Sequence, residues 1–261
     1  MIPSRKSRLF NAWFASHARS RIEGTFGRVY VRGVEQARAV AAERPVLFVP
    51  NHTAWWDPLV ILHASLHRLH VDAYAMMDAK NLRRLPFFGL VGAFGVDLGA
   101  PADGLRAMKY AAKLLDRPRR AVWIFAQGEE RPVTERPLRF RGGACEVARI
   151  ARKAAVIPVG LRYEHAGDER PRLYLSFGDS VTLSRDMPMA RVELEAGVGA
   201  ELDRIEQHVR GGDGTGLELA WERRPGWMAH LAERMLAVMT RPFALSAGDE
   251  APSASAASRS A

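Results

Sequence analysis

Residues 46–58 read Val46-Leu47-Phe48-Val49-Pro50-Asn51-His52-Thr53-Ala54-Trp55-Trp56-Asp57-Pro58. An apolar run led in by Pro45 and closed by Pro50-Asn51 is the pattern of a short strand buried on both faces, inside a parallel sheet. Asp57-Pro58 reads as a helix start, with Asp suited to the N-cap and proline to the first helical position. Ligands of open α/β sheets bind at the carboxyl ends of strands, and His52 falls at such an end. Asp57 follows across a tight loop, so its carboxylate can fold back onto the imidazole. A carboxylate that accepts the proton of one ring nitrogen fixes the tautomer and leaves the other nitrogen as a base. Such a base can take a proton from an alcohol.

Similar apolar runs recur at Val29–Val31, Val71–Met76, Phe94–Leu98, Ala121–Phe125, Ala155–Leu161 and Leu173–Phe177. Between them lie helical patterns over Pro58–His67, Asp103–Leu115 and Gly142–Arg152. Strands alternating with helices of this length predict an α/β fold with a mostly parallel central sheet flanked by helices. After Gly178 the strand signals stop, and helices are expected over Arg191–Arg210 and Gly216–Thr240. Trp221, Trp227, Leu231, Met235 and Met239 form an apolar stripe in the second, with Arg223, Arg224 and Arg234 beside it.

At the other end, Met1–Arg21 carries five basic residues, and no acid precedes Glu23. Leu9, Phe10, Trp13, Phe14 and His17 fall on one helical stripe. A basic amphipathic helix of this kind either lies on an anionic bilayer or packs on the domain behind it. The expected organisation is a basic amphipathic helix over residues 1–24, an α/β domain with C-terminal helices over 25–245, and a disordered Ser/Ala-rich tail over 246–261.

The 261 residues hold 38 Lys+Arg against 29 Asp+Glu, a net charge of +9, with 48% hydrophobic residues. That balance excludes a wholly disordered chain. A single cysteine, Cys145, excludes an internal disulfide framework, and it fits a reducing compartment. Leu85–Val96 is the longest uncharged apolar stretch, and Pro86, Gly89, Gly92 and Gly95 interrupt it, so no transmembrane helix is expected. The basic residues are scattered and the tryptophans are not interleaved with them, which speaks against nucleic-acid binding. His63, His67 and His70 lack the carboxylate or cysteine company of a metal site, so no metal is expected. No G-x-S-x-G elbow is present, and Cys145 lies in a helical run with no evident base.

Asn51-His52-x-x-x-x-Asp57-Pro58 resembles the H-x-x-x-x-D box of the glycerolipid (lysophospholipid / 1-acylglycerol-3-phosphate) acyltransferase superfamily. The likeness continues in order. Pro86-Phe87-Phe88-Gly89 with Gly95-Val96-Asp97-Leu98 resembles the second block, Phe125-Ala126-Gln127-Gly128 the third, and Val156-Ile157-Pro158-Val159 the fourth. Four blocks in sequence are a specific signal.

The resemblance implies transfer of a fatty acyl group from an acyl thioester, acyl-CoA or acyl-ACP, to a hydroxyl of a lysophospholipid or other polar lipid. His52 is then the general base and Asp57 its orienting partner, with Asn51, Trp56, Gln127, Gly128, Arg131 and Arg139 as substrate-binding residues. Oxyanion donors are expected in the turn near Gly128, and Leu85–Gly99 is expected to help line an acyl groove. No cofactor is implied beyond the thioester co-substrate, and the expected location is cytoplasmic, peripheral at the inner face of the cell membrane. The alternative is a non-catalytic lipid- or anion-binding member. Three departures bear on the acceptor: Leu98 where the family usually has Arg, Ala126 for Pro, and Gln127 for Glu. Arg131 follows one residue later than usual, with Arg136, Arg139 and Arg141 close by. These departures favour a non-phosphate polar lipid or a glycosylated isoprenoid as acceptor over lysophosphatidic acid.

Overall fold

The computed structural model describes residues 1–97, 99–165, 167–223 and 235 of the 261-residue chain. Met1–Glu222 forms one compact unit; of a second, Arg223–Ala261, only Arg223 and Met235 are described. The expected 246–261 tail and most of the helix expected over Gly216–Thr240 therefore lie outside the described residues, as does Leu98.

In chain order the elements are α1 (Arg8–Thr25), β1 (Arg28–Arg32), α2 (Val34–Glu43), β2 (Val46–Pro50), α3 (Asp57–His67), β3 (Asp72–Asp78), α4 (Ala79–Arg84) and α5 (Phe87–Leu90). They continue with β4 (Ala93–Val96), α6 (Pro101–Leu114), β5 (Arg120–Trp123), α7 (Gly143–Ile150), β6 (Ala155–Glu164), β7 (Arg172–Phe177), α8 (Met187–Val209) and β8 (Glu218–Glu222). The strands form one sheet in the order β4-β3-β5-β2-β6-β7-β1-β8. It is mostly parallel, as expected; β6 runs antiparallel to β7, and β8 antiparallel to β1.

Strand β2 is buried along its whole length, and its pleat divides the core. Val46 and Phe48 pack into one cluster with Ile22 of α1, Ala37 of α2 and Val60 of α3. Leu47 and Val49 face the opposite cluster, with Ala111 of α6, Val147 of α7 and Leu194 of α8. An alternation of side chains to two apolar layers is what a continuous Val/Leu/Phe run requires. It leaves the carboxyl ends of β2, β3 and β5 as the place where polar loops emerge.

Two expectations are corrected here, and a third element falls where none was expected. First, the N-terminal helix begins at Arg8, capped by the Ser7 side chain. The residues before it run extended along the sheet edge, where Ile2 bridges to Gly95. The helix buries Asn11, Ala15, Ala18 and Ile22, because small side chains allow close approach to α3. The large aromatic stripe is rotated off that face, leaving Leu9 86% and Trp13 63% exposed.

Second, Glu218–Glu222 is an edge strand, not the start of a helix. In Glu218-Leu219-Ala220-Trp221-Glu222 the large apolar residues alternate with period two, and Glu222 pairs with Arg28 at 2.6 Å. Third, the helix α2 had no expectation attached to it. The chain enters it through Gly33, whose φ is +69 and where a Cβ would lie 2.3 Å from the Phe177 carbonyl oxygen, so only glycine fits.

Candidate active site

The loop after β2 is held from both sides. The buried Asn51 amide donates from Nδ2 to the Leu161 carbonyl at 2.9 Å and accepts from the Leu161 N–H at 2.7 Å, tying the end of β2 to β6. On the other side the His52 N–H donates to Oε1 of Gln127 at 2.6 Å, and the Arg131 N–H donates to the His52 carbonyl at 2.9 Å.

Asp57 is fully buried. Its Oδ2 contacts His52 Nδ1 at 2.7 Å and accepts from the N–H groups of Thr53 at 2.8 Å and Ala54 at 3.2 Å. Its Oδ1 accepts from the Tyr163 hydroxyl at 2.6 Å. The helix α3 is entered at Trp56 with no side-chain cap. The N-cap expectation for Asp57 is thus corrected: the side chain reaches back to the preceding loop, while its charge sits in the first helical turn, where the helix dipole favours an anion. With Nδ1 engaged, Nε2 is the ring nitrogen left for a substrate. Phe125 packs against the imidazole at a centroid distance of 4.4 Å.

His52 stands on the wall of a cavity of about 810 Å³, within the range of small-molecule and lipid sites. Its apolar lining is drawn from α3, β3, β4, β5 and the α5 segment, with Leu62, Ala73, Phe88, Val91 and Trp123 among the lining residues. Leu85, Phe88, Val91, Ala93 and Val96 place the expected second-block segment on this cavity. Its ionisable and amide lining groups other than His52 and Tyr74 are Asp78 at the end of β3, Asn81 and Arg84 of α4, and Glu129 and Glu130 after β5. Among the described lining residues Arg84 is the only arginine or lysine.

Of the expected site residues, His52 and Gly128 line the cavity. Asn51 and Gln127 are buried and spend their amides on backbone groups. Trp56 packs edge-on against Phe26 with Arg21 over its ring, and it is Trp55 that lines the cavity. The Arg131 guanidinium is held between Glu129 and Glu135, with Nη1 2.9 Å from Glu135. Arg139 lies 3.3 Å from Glu135 through Nε, and its N–H donates to Glu195 at 3.1 Å.

Gly128 adopts φ +77, and a Cβ there would press on the Arg141 side chain at 3.0 Å. Its own N–H closes the turn onto the Phe125 carbonyl at 3.0 Å, so that particular donor is already committed.

Tyr163 carried no signal in the sequence. It lies beyond the apolar run of β6, on the part of the strand that overshoots β2, and its ring stacks on Phe26 at 5.7 Å. Burial, followed by the neighbouring Asp57 charge, raises its pKa well above that of a free phenol. It therefore stays a proton donor to Asp57.

The other candidates are inert by comparison. Cys145 is buried in α7, and burial raises its thiol pKa. His63 and His67 stack at 5.0 Å, and burial, then the neighbouring His67, holds His63 down to about 4. No group of metal-ligating side chains occurs among the described residues.

The chain thus combines an α/β fold, helices on both faces of the sheet, with a paired His and Asp on the wall of a largely apolar cavity. The family model described as Acyltransferase matches residues 28–162, more than half of the chain, and the chain belongs to that family. The crystal structure of the 1-acyl-sn-glycerophosphate (LPA) acyltransferase PlsC from Thermotoga maritima is similar, at TM-score 0.55 and 16% identity, covering 75% of this chain and 79% of that one. At such identity the likeness speaks for the fold. No curated protein sequence matches the chain.

Proposed function

We propose that the protein moves a fatty acyl group from an acyl thioester, acyl-CoA or acyl-ACP, to a hydroxyl of a polar lipid, with His52 as general base. The observation that carries this reading is the 2.7 Å contact between His52 Nδ1 and Asp57 Oδ2 on the wall of an apolar cavity. The acceptor O–H proton passes to Nε2 as its oxygen bonds to the thioester carbonyl carbon. Asp57 stabilises the imidazolium so formed. The carbon–sulfur bond then breaks, and the leaving thiolate takes the proton back from Nε2. No acyl-enzyme is needed, in keeping with the buried Cys145. The apolar wall accommodates the acyl chain. The carboxylate-rich polar lining favours an acceptor headgroup other than a phosphomonoester.

The same reading makes the protein peripheral at the inner face of the cell membrane. No helix of the described residues is long and apolar enough to cross a bilayer. Leu9 and Trp13 project outward beside Phe14, which packs on Phe87 at 5.4 Å and on Phe88 at 6.3 Å. Phe88 in turn lines the cavity. A lipid-seeking face therefore adjoins the proposed acyl site, with Arg5 and Arg8 nearby in sequence to meet anionic headgroups.

The test is thiol release from palmitoyl-CoA with a panel of hydroxylated lipids. Wild-type protein should release thiol with at least one acceptor, and His52→Ala should lose that release while its thermal unfolding stays close to wild type. Undiminished turnover in His52→Ala would refute the base assignment.

A further inference from the structure

We propose that Tyr163 is a positioning residue for acyl transfer, setting the orientation and basicity of His52 through Asp57; the inference rests on the reading of His52 as base. The two carboxylate oxygens of Asp57 have different work. Oδ2 gathers the imidazole and the two loop amides, whereas Oδ1 receives only the Tyr163 hydroxyl among the described residues, at 2.6 Å. A fully buried carboxylate with one free oxygen is costly, and the phenol removes that cost.

The phenol is itself fixed. Strand β6 pairs with β2 only as far as Val159↔Pro50, then continues beside β7, where Tyr163 faces Leu173 in the register. Phe26 stacks on the Tyr163 ring at 5.7 Å. The Asn51–Leu161 bridge clamps β6 to the base of the loop two residues before the tyrosine. A hydroxyl carried on a long, paired strand thus aims the Asp57 carboxyl plane at His52.

The charged groups facing the phenol are Asp57 from α3 and Glu130 from the segment after β5. Both are acids, so neither replaces the lost donor if the hydroxyl is removed. Without it, the Asp57 charge is less satisfied and pulls harder on the Nδ1 proton. The imidazolium then persists to higher pH, and the free base forms later on the pH scale.

The experiment is Tyr163→Phe, which keeps the ring and its stacking, assayed by thiol release from palmitoyl-CoA with the best acceptor of the panel. The expected result is a fall in kcat of about 10- to 100-fold, the worth of a hydrogen bond to a charged group. KM should change little, and the acid limb of the kcat/KM profile should move to higher pH. In the cycle with Asp57→Asn, the double variant should be no slower than Asp57→Asn alone.

A wild-type kcat with an unmoved acid limb would overturn the proposal, as would additive losses in the double variant. If Tyr163→Phe does not fold, wild-type protein labelled with fluorotyrosine decides. A more acidic phenol donates more strongly, so the acid limb should move to lower pH, and an unmoved limb would overturn the proposal. Failure of the underlying reading has a different signature: His52→Ala would remain active, whatever Tyr163→Phe does.

Discussion

The main chain of His52 is bonded to the side chain of Gln127, N–H to Oε1 at 2.6 Å. The third sequence block therefore serves the first. Gln127 is buried, and its amide oxygen sets where the backbone of the proposed base begins, while the neighbouring Gly128 reaches the cavity.

Replacing Gln127 by Ala should leave the His52 N–H without its acceptor and open a cavity. A loss of about 2–4 kcal/mol in unfolding free energy follows from the two effects together. Acyl transfer should fall more than tenfold as the loop relaxes. Gln127→Glu keeps an acceptor oxygen in the same place and should retain most of the activity. Denaturant unfolding and thiol-release rates on the two variants check the pair. If Gln127→Ala were as stable and active as wild type, this bond would have no part in holding the loop.

His63 gives the fold a pH dependence. Its folded-state pKa is about 4 against an ordinary 6.5, because burial penalises the imidazolium. The unfolded chain therefore binds a proton that the folded chain refuses between those values, so stability is full above pH 6.5 and falls as the pH drops toward 4. Between pH 7 and pH 5 the loss attributable to this side chain should be about 2 kcal/mol. His63→Gln should flatten that part of the profile in urea unfolding at the two pH values. An equal acid sensitivity in the variant would place its origin elsewhere.

What the sequence alone reveals of this fold and site depends on which interactions a residue's neighbours in sequence can report. The seven strands β1 to β7 were visible because burial on one or both faces imposes an apolar pattern at each strand. The His52–Asp57 pair is visible because both residues belong to the one short connection from β2 into α3. Tyr163 was not, because its partner lies 106 residues away and a single tyrosine after an apolar run has no pattern. The role of Asp57 as a loop-binder was hidden by the Asp-Pro pair, which is also good helix-start chemistry. Asn51 and Gln127 read as site polar groups; the fold consumed both, because buried amides must find partners and the nearest were backbone groups. The edge strand β8 is hidden inside an apolar stretch whose length suggests a helix, because two alternating apolar residues, Leu219 and Trp221, are too short a pattern to stand out, and its pairing with β1 settles it.

The outward face of α1 should carry membrane binding. Leu9 and Trp13 are 86% and 63% exposed, so replacing both with Ser costs little folding energy. Each large apolar side chain is worth about 1.5–3 kcal/mol when it leaves water. The double variant should therefore bind phosphatidylglycerol vesicles at least tenfold more weakly, with an unchanged melting temperature. Raising the salt should weaken the wild-type protein too, since the exposed Arg5 and Arg8 would meet the anionic lipid. Vesicle sedimentation at two salt concentrations tests both statements. Binding indifferent to the two substitutions would move the membrane face away from α1.

The charge around the cavity predicts the acceptor. Asp78, Glu129 and Glu130 line it with Arg84 as their only cationic counterpart among the described residues. Arg131, an expected substrate-binding residue, is held by Glu129 and Glu135. Three carboxylates against one arginine give the lining an acidic balance that disfavours a phosphomonoester. Two like charges about 4 Å apart repel by about 1–4 kcal/mol near a protein surface. The expected consequence is a kcat/KM at least tenfold higher for an acceptor with an uncharged headgroup, such as a glycosylated lipid, than for lysophosphatidate with the same acyl chain. Glu129→Gln with Glu135→Gln would release Arg131, and that double variant should narrow the gap by raising the rate on lysophosphatidate. Thiol release with the two acceptors, wild type against the variant, measures it. Wild-type preference for lysophosphatidate would mean that the phosphate is met by Arg84 or by groups beyond the described residues, and the carboxylates would then have no say in acceptor choice.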